Sequence, residues 1–307
     1  MKHYDVIVVG GGIAGMTAAI YVRRANKTVL VLEGRTYGGQ IINTLNIENW
    51  PGDMGVSGVD LVQKIYQQMT ELGAEMEFET VTAVERSDNG FMVKTEDETY
   101  TAGAVILAVG AEDKKLGLAS EEKFTGRGVS YCATCDGAFY KGKKIAVIGG
   151  GNTALYDALY LADIVEKVYL VHRRSEFRGD AVLVERLRGK SNVEFVLGYV
   201  PEEIVGGKKV SGIKLVPSGK VADVKDGVEL GVDGVFVAIG KLPMTGSFAG
   251  LVELDTGGYI KAAEDCVTSC PGVFAAGDCR VKDMRQLVTA AADGAVAADK
   301  AVNYSNN

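Results

Sequence analysis

The sequence predicts an α/β protein made of two similar halves, each opening with a strand–turn–helix–strand unit. Three observations carry that expectation. A glycine-rich turn stands between an apolar strand and a helical segment twice, once from Gly10 and again from Gly149. Each half later returns with an apolar strand that stops at a glycine, Gly110 in the first and Gly240 in the second. And 40 glycines against 5 prolines in 307 residues suit a chain of many tight turns and close backbone approaches.

Residues 4–9 (YDVIVV) form a continuous apolar, β-branched run, the pattern of a strand buried on both faces. Gly10, Gly12, Ala14 and Gly15 make the turn; Met16 to Ala25 predicts a helix and residues 28–32 a second strand, which ends on Glu33. Residues 104–110 return to the sheet. In the second half, residues 144–148 are the strand and Gly149, Gly151, Asn152, Thr153 and Ala154 the turn. Leu155 to Ala162 predicts a helix, residues 167–171 a strand running into His172-Arg173-Arg174, and residues 234–240 the return. The glycine-rich region 197–232 reads as a β-meander, Val273 to Ala276 as a strand and Arg285 to Ala301 as a helix. Pattern alone leaves residues 242–307 unassigned to either half.

Both turns spell a Rossmann-like dinucleotide fingerprint. The first glycine permits the turn, the second lets the backbone approach a pyrophosphate, and the third position (Gly15 or Ala154) allows close helix packing. The helix N-terminus then offers unpaired N–H groups to phosphate. A lone GxGxxG is weak, but strand, turn, helix and second strand in this order are the context that confirms it. The two sites differ in charge. Glu33 stands near the ~20-residue offset where an acid accepts from a ribose 2′-OH and repels a 2′-phosphate, so the first site suits FAD or NAD. The second ends on His172, Arg173 and Arg174 with Arg178 close behind, and guanidinium forks favour NADP(H) over NAD(H). A solvated basic patch is the alternative reading of that cluster.

The formal net charge of −7 disfavours non-specific binding to nucleic acid or an anionic membrane. No secretory signal is visible at Met1-Lys2-His3, and no run approaches the ~18 apolar residues of a membrane span, so the cytoplasm is the expected compartment. There the five cysteines are not expected to be a static disulfide framework. Cys132 and Cys135 are spaced for a redox disulfide when such a motif opens a helix, where the thiol pKa also falls. Exchange further needs a proton donor for the leaving sulfur, and Asp136 is the candidate if burial raises its pKa. The competing reading is half a zinc site. It needs further ligands, and Cys266, Cys270, Cys279, His3 and His172 form no second CxxC, so no metal is expected. The other three cysteines read as buried thiols, with a Cys266–Cys270 disulfide left open.

Over nearly its whole length the chain resembles the low-molecular-weight thioredoxin reductases. The resemblance rests on GGGIAG at 10–15, GGQ at 38–40, ENWPG at 48–52, CATCDG at 132–137, HRRSEFR at 172–178, FAAGDCR at 274–280 and MRQ at 284–286. It implies two Rossmann-like dinucleotide-binding domains, the second inserted into the first. The FAD-binding domain would be residues 1–114 and 245–307, and the NADPH-binding domain with the redox CxxC residues 115–244. It also implies that Gly39, Gln40 and Asn49 approach FAD, that Asp278 holds its ribityl–phosphate region, and that Arg285 and Gln286 contact the flavin. Cys135 would face the flavin, Cys132 attack the partner disulfide, and Asp136 serve as the acid. Electrons would pass from NADPH to FAD to Cys132/Cys135 to thioredoxin or a thioredoxin-like protein. Members are homodimers whose domains rotate, which would put hinges near 112–118 and 241–246. Met244 (family members commonly carry Asn), Met284 (often aromatic) and Asn152-Thr153 (often Asp-Ser) depart from the pattern. Supply by NADH or ferredoxin, and a non-catalytic nucleotide-binding or redox-sensing module, are the alternatives.

Overall fold

The computed structural model of the chain describes residues 1–44, 46–53 and 55–305. They form two compact units, Met1–Glu112 with Leu242–Asn307, and Asp113–Lys241. The α/β class read from the sequence is the class observed, with parallel sheets in both units.

The first unit grows from β1 (His3–Val9). Val6 and Val8 enter one apolar layer while Tyr4, Ile7 and Val9 enter the other, which is why this strand carries no alternating polar face. Then come α1 (Ile13–Arg24) and β2 (Val29–Leu32). The helix begins three residues earlier than its periodicity suggests because Gly12, with extended backbone, takes the N-cap position. Four elements that the sequence reading left unassigned follow: α2 (Gly58–Glu71), β3 (Glu75–Glu77), β4 (Val81–Ser87) and β5 (Gly90–Thr95). Ser57 caps α2, its Oγ accepting from the Asp60 backbone N–H at 3.1 Å. β6 (Thr99–Leu107) completes the order β3-β2-β1-β6-β5-β4, parallel from β3 to β6 and antiparallel beyond.

β7 (Ala111–Asp113) leaves this unit. The second unit contains α3 (Ala119–Phe124), β8 (Val129–Ser130), α4 (Ala133–Asp136), β9 (Lys144–Ile148), α5 (Asn152–Ala162), β10 (Lys167–His172), α6 (Ala181–Arg188) and β11 (Val193–Leu197). A meander of β12 (Tyr199–Gly206), β13 (Val210–Pro217) and β14 (Val228–Leu230) leads to β15 (Gly234–Val237). The parallel sheet runs β11-β10-β9-β15-β8. Ile145 and Val147 of β9 pack with Leu155 and Leu159 of α5 on one face. Ala146 and Ile148 pack with Ile204 and Ile213 of the meander on the other. Each buried Val, Leu or Ile among them contributes about 1.5–3 kcal/mol.

β16 (Lys241–Pro243) pairs with β7, so the two crossings between the units form a two-stranded ribbon. β17 (Val273–Ala275) then joins the first sheet parallel to β6, Val273 opposite Val105. α7 (Leu287–Ser305) packs on α1 so closely that a Cβ at Gly294 would stand 2.2 Å from the Ala14 carbonyl oxygen. Residues 242–307, which pattern alone could not assign, therefore belong to the first unit.

Candidate active site

The redox pair is built at the edge of the second unit's sheet. β8 ends at Ser130, Cys132 follows in extended conformation as the N-cap of the four-residue α4, and Cys132 and Cys135 are disulfide-bonded with Cα atoms 5.3 Å apart. The Cys135 backbone N–H donates to Cys132 Sγ at 3.2 Å, and the Asp136 backbone N–H donates to the Cys132 carbonyl at 3.1 Å. Cys135 is exposed and Cys132 half-buried. The Asp136 side chain is half-buried, and burial holds its carboxyl above the usual carboxylate range, opposed by a hydrogen bond that Ser130 Oγ donates to Oδ2 at 2.6 Å. In the sequence, Ser130 carries no signal beyond a small hydroxyl two residues before the first cysteine.

In the same unit, the second glycine turn opens α5 with Gly151 as an N-cap that no side chain caps. A Cβ on Gly151 would meet nothing within 4 Å, whereas a Cβ on Gly150 would stand 2.2 Å from the His172 ring. His172 is 5% exposed, stacks on Phe177 at 5.3 Å, and is held below the usual histidine range by burial and by Arg178, Arg173 and Arg174. It therefore supports the turn as a neutral ring. Arg173, Arg174 and Arg178 are exposed, and no acid pairs with them among the described residues. The Arg178 backbone N–H donates to the Gly150 carbonyl at 2.8 Å, which fixes the basic segment beside the turn. Thr153 is exposed, while the Asn152 side chain is turned to Asp180, accepting from its N–H at 2.7 Å.

The first turn has a parallel construction in the first unit. Gly10 has φ +108°, and a Cβ there would stand 2.4 Å from the Ala108 carbonyl oxygen. A Cβ at Gly12 would meet nothing within 4 Å. Ala14 is buried beneath, and a Cβ at Gly15 would stand 1.9 Å from the Gly10 carbonyl oxygen. The Glu33 carboxylate accepts from the backbone N–H groups of Gly11 (2.7 Å) and Arg35 (2.9 Å), which fixes it at the strand end with lone pairs to spare. Gly39 and Gln40 lie on a 3₁₀ turn, and Gln40 Nε2 donates to the Ala111 carbonyl. Asn49 Nδ2 donates to Gln286 Oε1 at 3.0 Å, bringing together residues 237 apart in sequence. Arg285 lies over the Tyr259 ring at 4.2 Å and donates to the carbonyls of Asp278 and Arg280. One buried carboxylate, missed in the sequence, organises this loop: Asp293 on α7 accepts from the Gly277 N–H at 2.9 Å and from Arg280 and Lys282 at 2.8 Å.

The remaining cysteines are free: Cys266 and Cys279 are buried and Cys270 half-buried. The Cys266–Cys270 bridge left open above is absent, because Cys266 Sγ turns inward to the Asp293 carbonyl at 3.6 Å. Burial pushes the Cys266 thiol up to about 12 and that of Cys279 up to about 11, which makes both unreactive. No group of three or more His, Cys, Asp or Glu side chains suited to a metal ion occurs among the described residues.

Comparison with known proteins agrees with this construction. Residues 4–294 match the family described as pyridine nucleotide-disulphide oxidoreductase. A thioredoxin reductase of Listeria monocytogenes is 44% identical over 306 residues, covering 99% of this chain and 94% of that protein. Among solved structures, a thioredoxin reductase from Streptococcus pyogenes superposes with a TM-score of 0.92 at 39% identity, covering 99% of this chain and 98% of the other. One from Giardia duodenalis gives 0.93 at 35% identity, covering both chains fully.

Proposed function

Because the chain belongs to the pyridine nucleotide-disulphide oxidoreductase family, we propose that it is an NADPH-dependent, FAD-containing reductase of thioredoxin or a thioredoxin-like protein disulfide. The observation that carries this reading is the Cys132–Cys135 disulfide with Asp136 beside it, in the unit that also bears the unpaired arginines.

Both turns fit the groups assigned to them. At Gly12 and Gly151 the space a Cβ would fill is open, and both helices begin without a side-chain cap, as phosphate approach requires. Gly10, Gly12, Ala14, Gly15 and Glu33 would hold the FAD pyrophosphate and ribose, with Gly39, Gln40, Asn49, Asp278, Arg285 and Gln286 toward its flavin end. Gly149, Gly151, Asn152 and Thr153 would hold NADPH, with Arg173, Arg174 and Arg178 on the 2′-phosphate and His172 supporting them. When bound, the flavin supplies the two-electron link between the nicotinamide and the disulfide.

The second half of the reaction falls to this chain's own residues. The Cys132 thiol passes its proton to Asp136, and the thiolate attacks the partner disulfide. A Cys132–partner S–S bond forms, the partner's own S–S bond breaks, and the leaving partner sulfur takes the proton from Asp136. Cys135 then gives its proton to Asp136 and attacks Cys132 Sγ. The enzyme disulfide reforms and the second partner sulfur leaves protonated, so the partner gains two electrons and two protons.

The family resemblance implies a homodimer, and the cytoplasm is the expected compartment. No helix among the described residues is long and apolar enough to cross a membrane. The purified protein should be yellow and should turn over NADPH continuously only when oxidised thioredoxin is present. Flavin reduction by NADH or reduced ferredoxin, but not by NADPH, would replace the donor. A flavin that no donor reduces would overturn the reading.

A further inference from the structure

We propose that Ser130 is a positioning residue of the thiol–disulfide exchange, orienting Asp136 for proton transfer while fixing the backbone of Cys132. This rests on Asp136 being the acid and base of that exchange. Three contacts carry it. Ser130 Oγ donates to Asp136 Oδ2 at 2.6 Å, and the same oxygen accepts from the Cys132 backbone N–H at 3.1 Å. The Asp136 N–H donates to the Cys132 carbonyl at 3.1 Å, which closes a ring through Ser130, Cys132 and Asp136. The serine is 4% exposed, so water does not compete for its hydroxyl.

The geometry assigns the serine two tasks. With Oδ2 engaged as an acceptor, proton traffic falls to the other carboxylate oxygen, and the carboxyl is held in one orientation as the two sulfurs separate. The Ser130 hydroxyl also opposes the effect of burial, which pushes the Asp136 carboxyl upward. Tyr140 also feels this charge. Burial first, and then Asp136 and Asp233, push its phenol up to about 12, so it stays neutral across the range where the carboxyl titrates. Ser130 Oγ donates the side-chain hydrogen bond to Asp136, and neither sulfur titrates while the disulfide is closed.

The test is single-turnover oxidation of the dithiol-reduced holoenzyme by bis(2-hydroxyethyl) disulfide, an aliphatic disulfide whose leaving thiolate needs a proton. The rate is followed against pH for the parent, Ser130→Ala, Ser130→Thr and Asp136→Asn, each checked for parental flavin content and circular dichroism. Ser130→Ala should move the pH limb assigned to Asp136 upward by roughly one unit, the worth of a lost hydrogen bond to a carboxylate. Ser130→Thr, which keeps the hydroxyl, should restore the parental limb, and Asp136→Asn should abolish it. If Asp136→Asn abolishes the limb but Ser130→Ala only slows the rate and leaves the limb in place, the proposal for Ser130 fails and the acid stands. If Asp136→Asn keeps the limb, the assignment of Asp136 fails and the proposal falls with it.

Discussion

Gly12 and Gly15 sit three residues apart in one turn and should respond in opposite ways to a methyl group. At Gly12 the added carbon meets nothing, so Gly12→Ala should keep the melting temperature of the flavin-free protein while obstructing the pyrophosphate. Flavin content after dialysis should fall by about tenfold or more, and equal retention would refute the phosphate assignment. At Gly15 the carbon would overlap the Gly10 carbonyl, so Gly15→Ala should cost about 3 kcal/mol or more in denaturant unfolding. Asp157 on α5 offers a residue-scale test of pH dependence. Burial raises its carboxyl to about 7, with Lys241 opposing and Asp113 adding to the shift. A raised folded pKa gives stability that is full below the unfolded value of 3.8 and is lost as pH rises through about 7. Asp157→Asn should therefore match the parent at low pH and be more stable than it at pH ~8, by about 2 kcal/mol in urea titrations.

Elements separate what the sequence reveals from what it hides. The β1–α1–β2 and β9–α5–β10 units were legible because strands buried on both faces are uninterrupted apolar runs and the turns between them need glycine. β3 to β5 were not, since Glu75 to Thr95 mixes charged and apolar residues on half-covered strands, and β3 pairs back to β2 across the whole of α2. Two cores of the site were hidden for the same reason. Ser130 acts through a residue six positions away, and Asp293 clamps Arg280 from 13 positions away, on another element. CATCD and HRRSEFR announced themselves locally; their supports did not. Asp293 makes its own element-scale prediction. It joins α7 to the loop carrying Asp278, and Arg280 is 1% exposed, so Asp293→Ala leaves a buried guanidinium with, among the described residues, only the Glu264 carboxylate to pair with. It should cost about 3–5 kcal/mol in thermal or urea unfolding and release flavin earlier than the parent on heating.

At the scale of the whole molecule, an acidic chain keeps one basic cluster in the second unit and one fixed acid, Glu33, at the matching place in the first. Under the proposed function, that asymmetry is what would let two similar halves take different nucleotides. Reversing Arg173 and Arg174 to Glu should raise the KM for NADPH by roughly 10–100-fold and leave that for NADH nearly unchanged, as steady-state kinetics with both donors would register. The proposed function requires that electrons from NADPH arrive at one particular sulfur pair. The direct measurement is anaerobic addition of one equivalent of NADPH to the oxidised holoenzyme, followed by acid quench, alkylation and mass spectrometry of the peptide spanning Cys132 and Cys135. Two alkyl groups are expected on that peptide, with Cys266, Cys270 and Cys279 labelled identically before and after NADPH. A peptide that stays disulfide-linked while NADPH is consumed would contradict the proposed function.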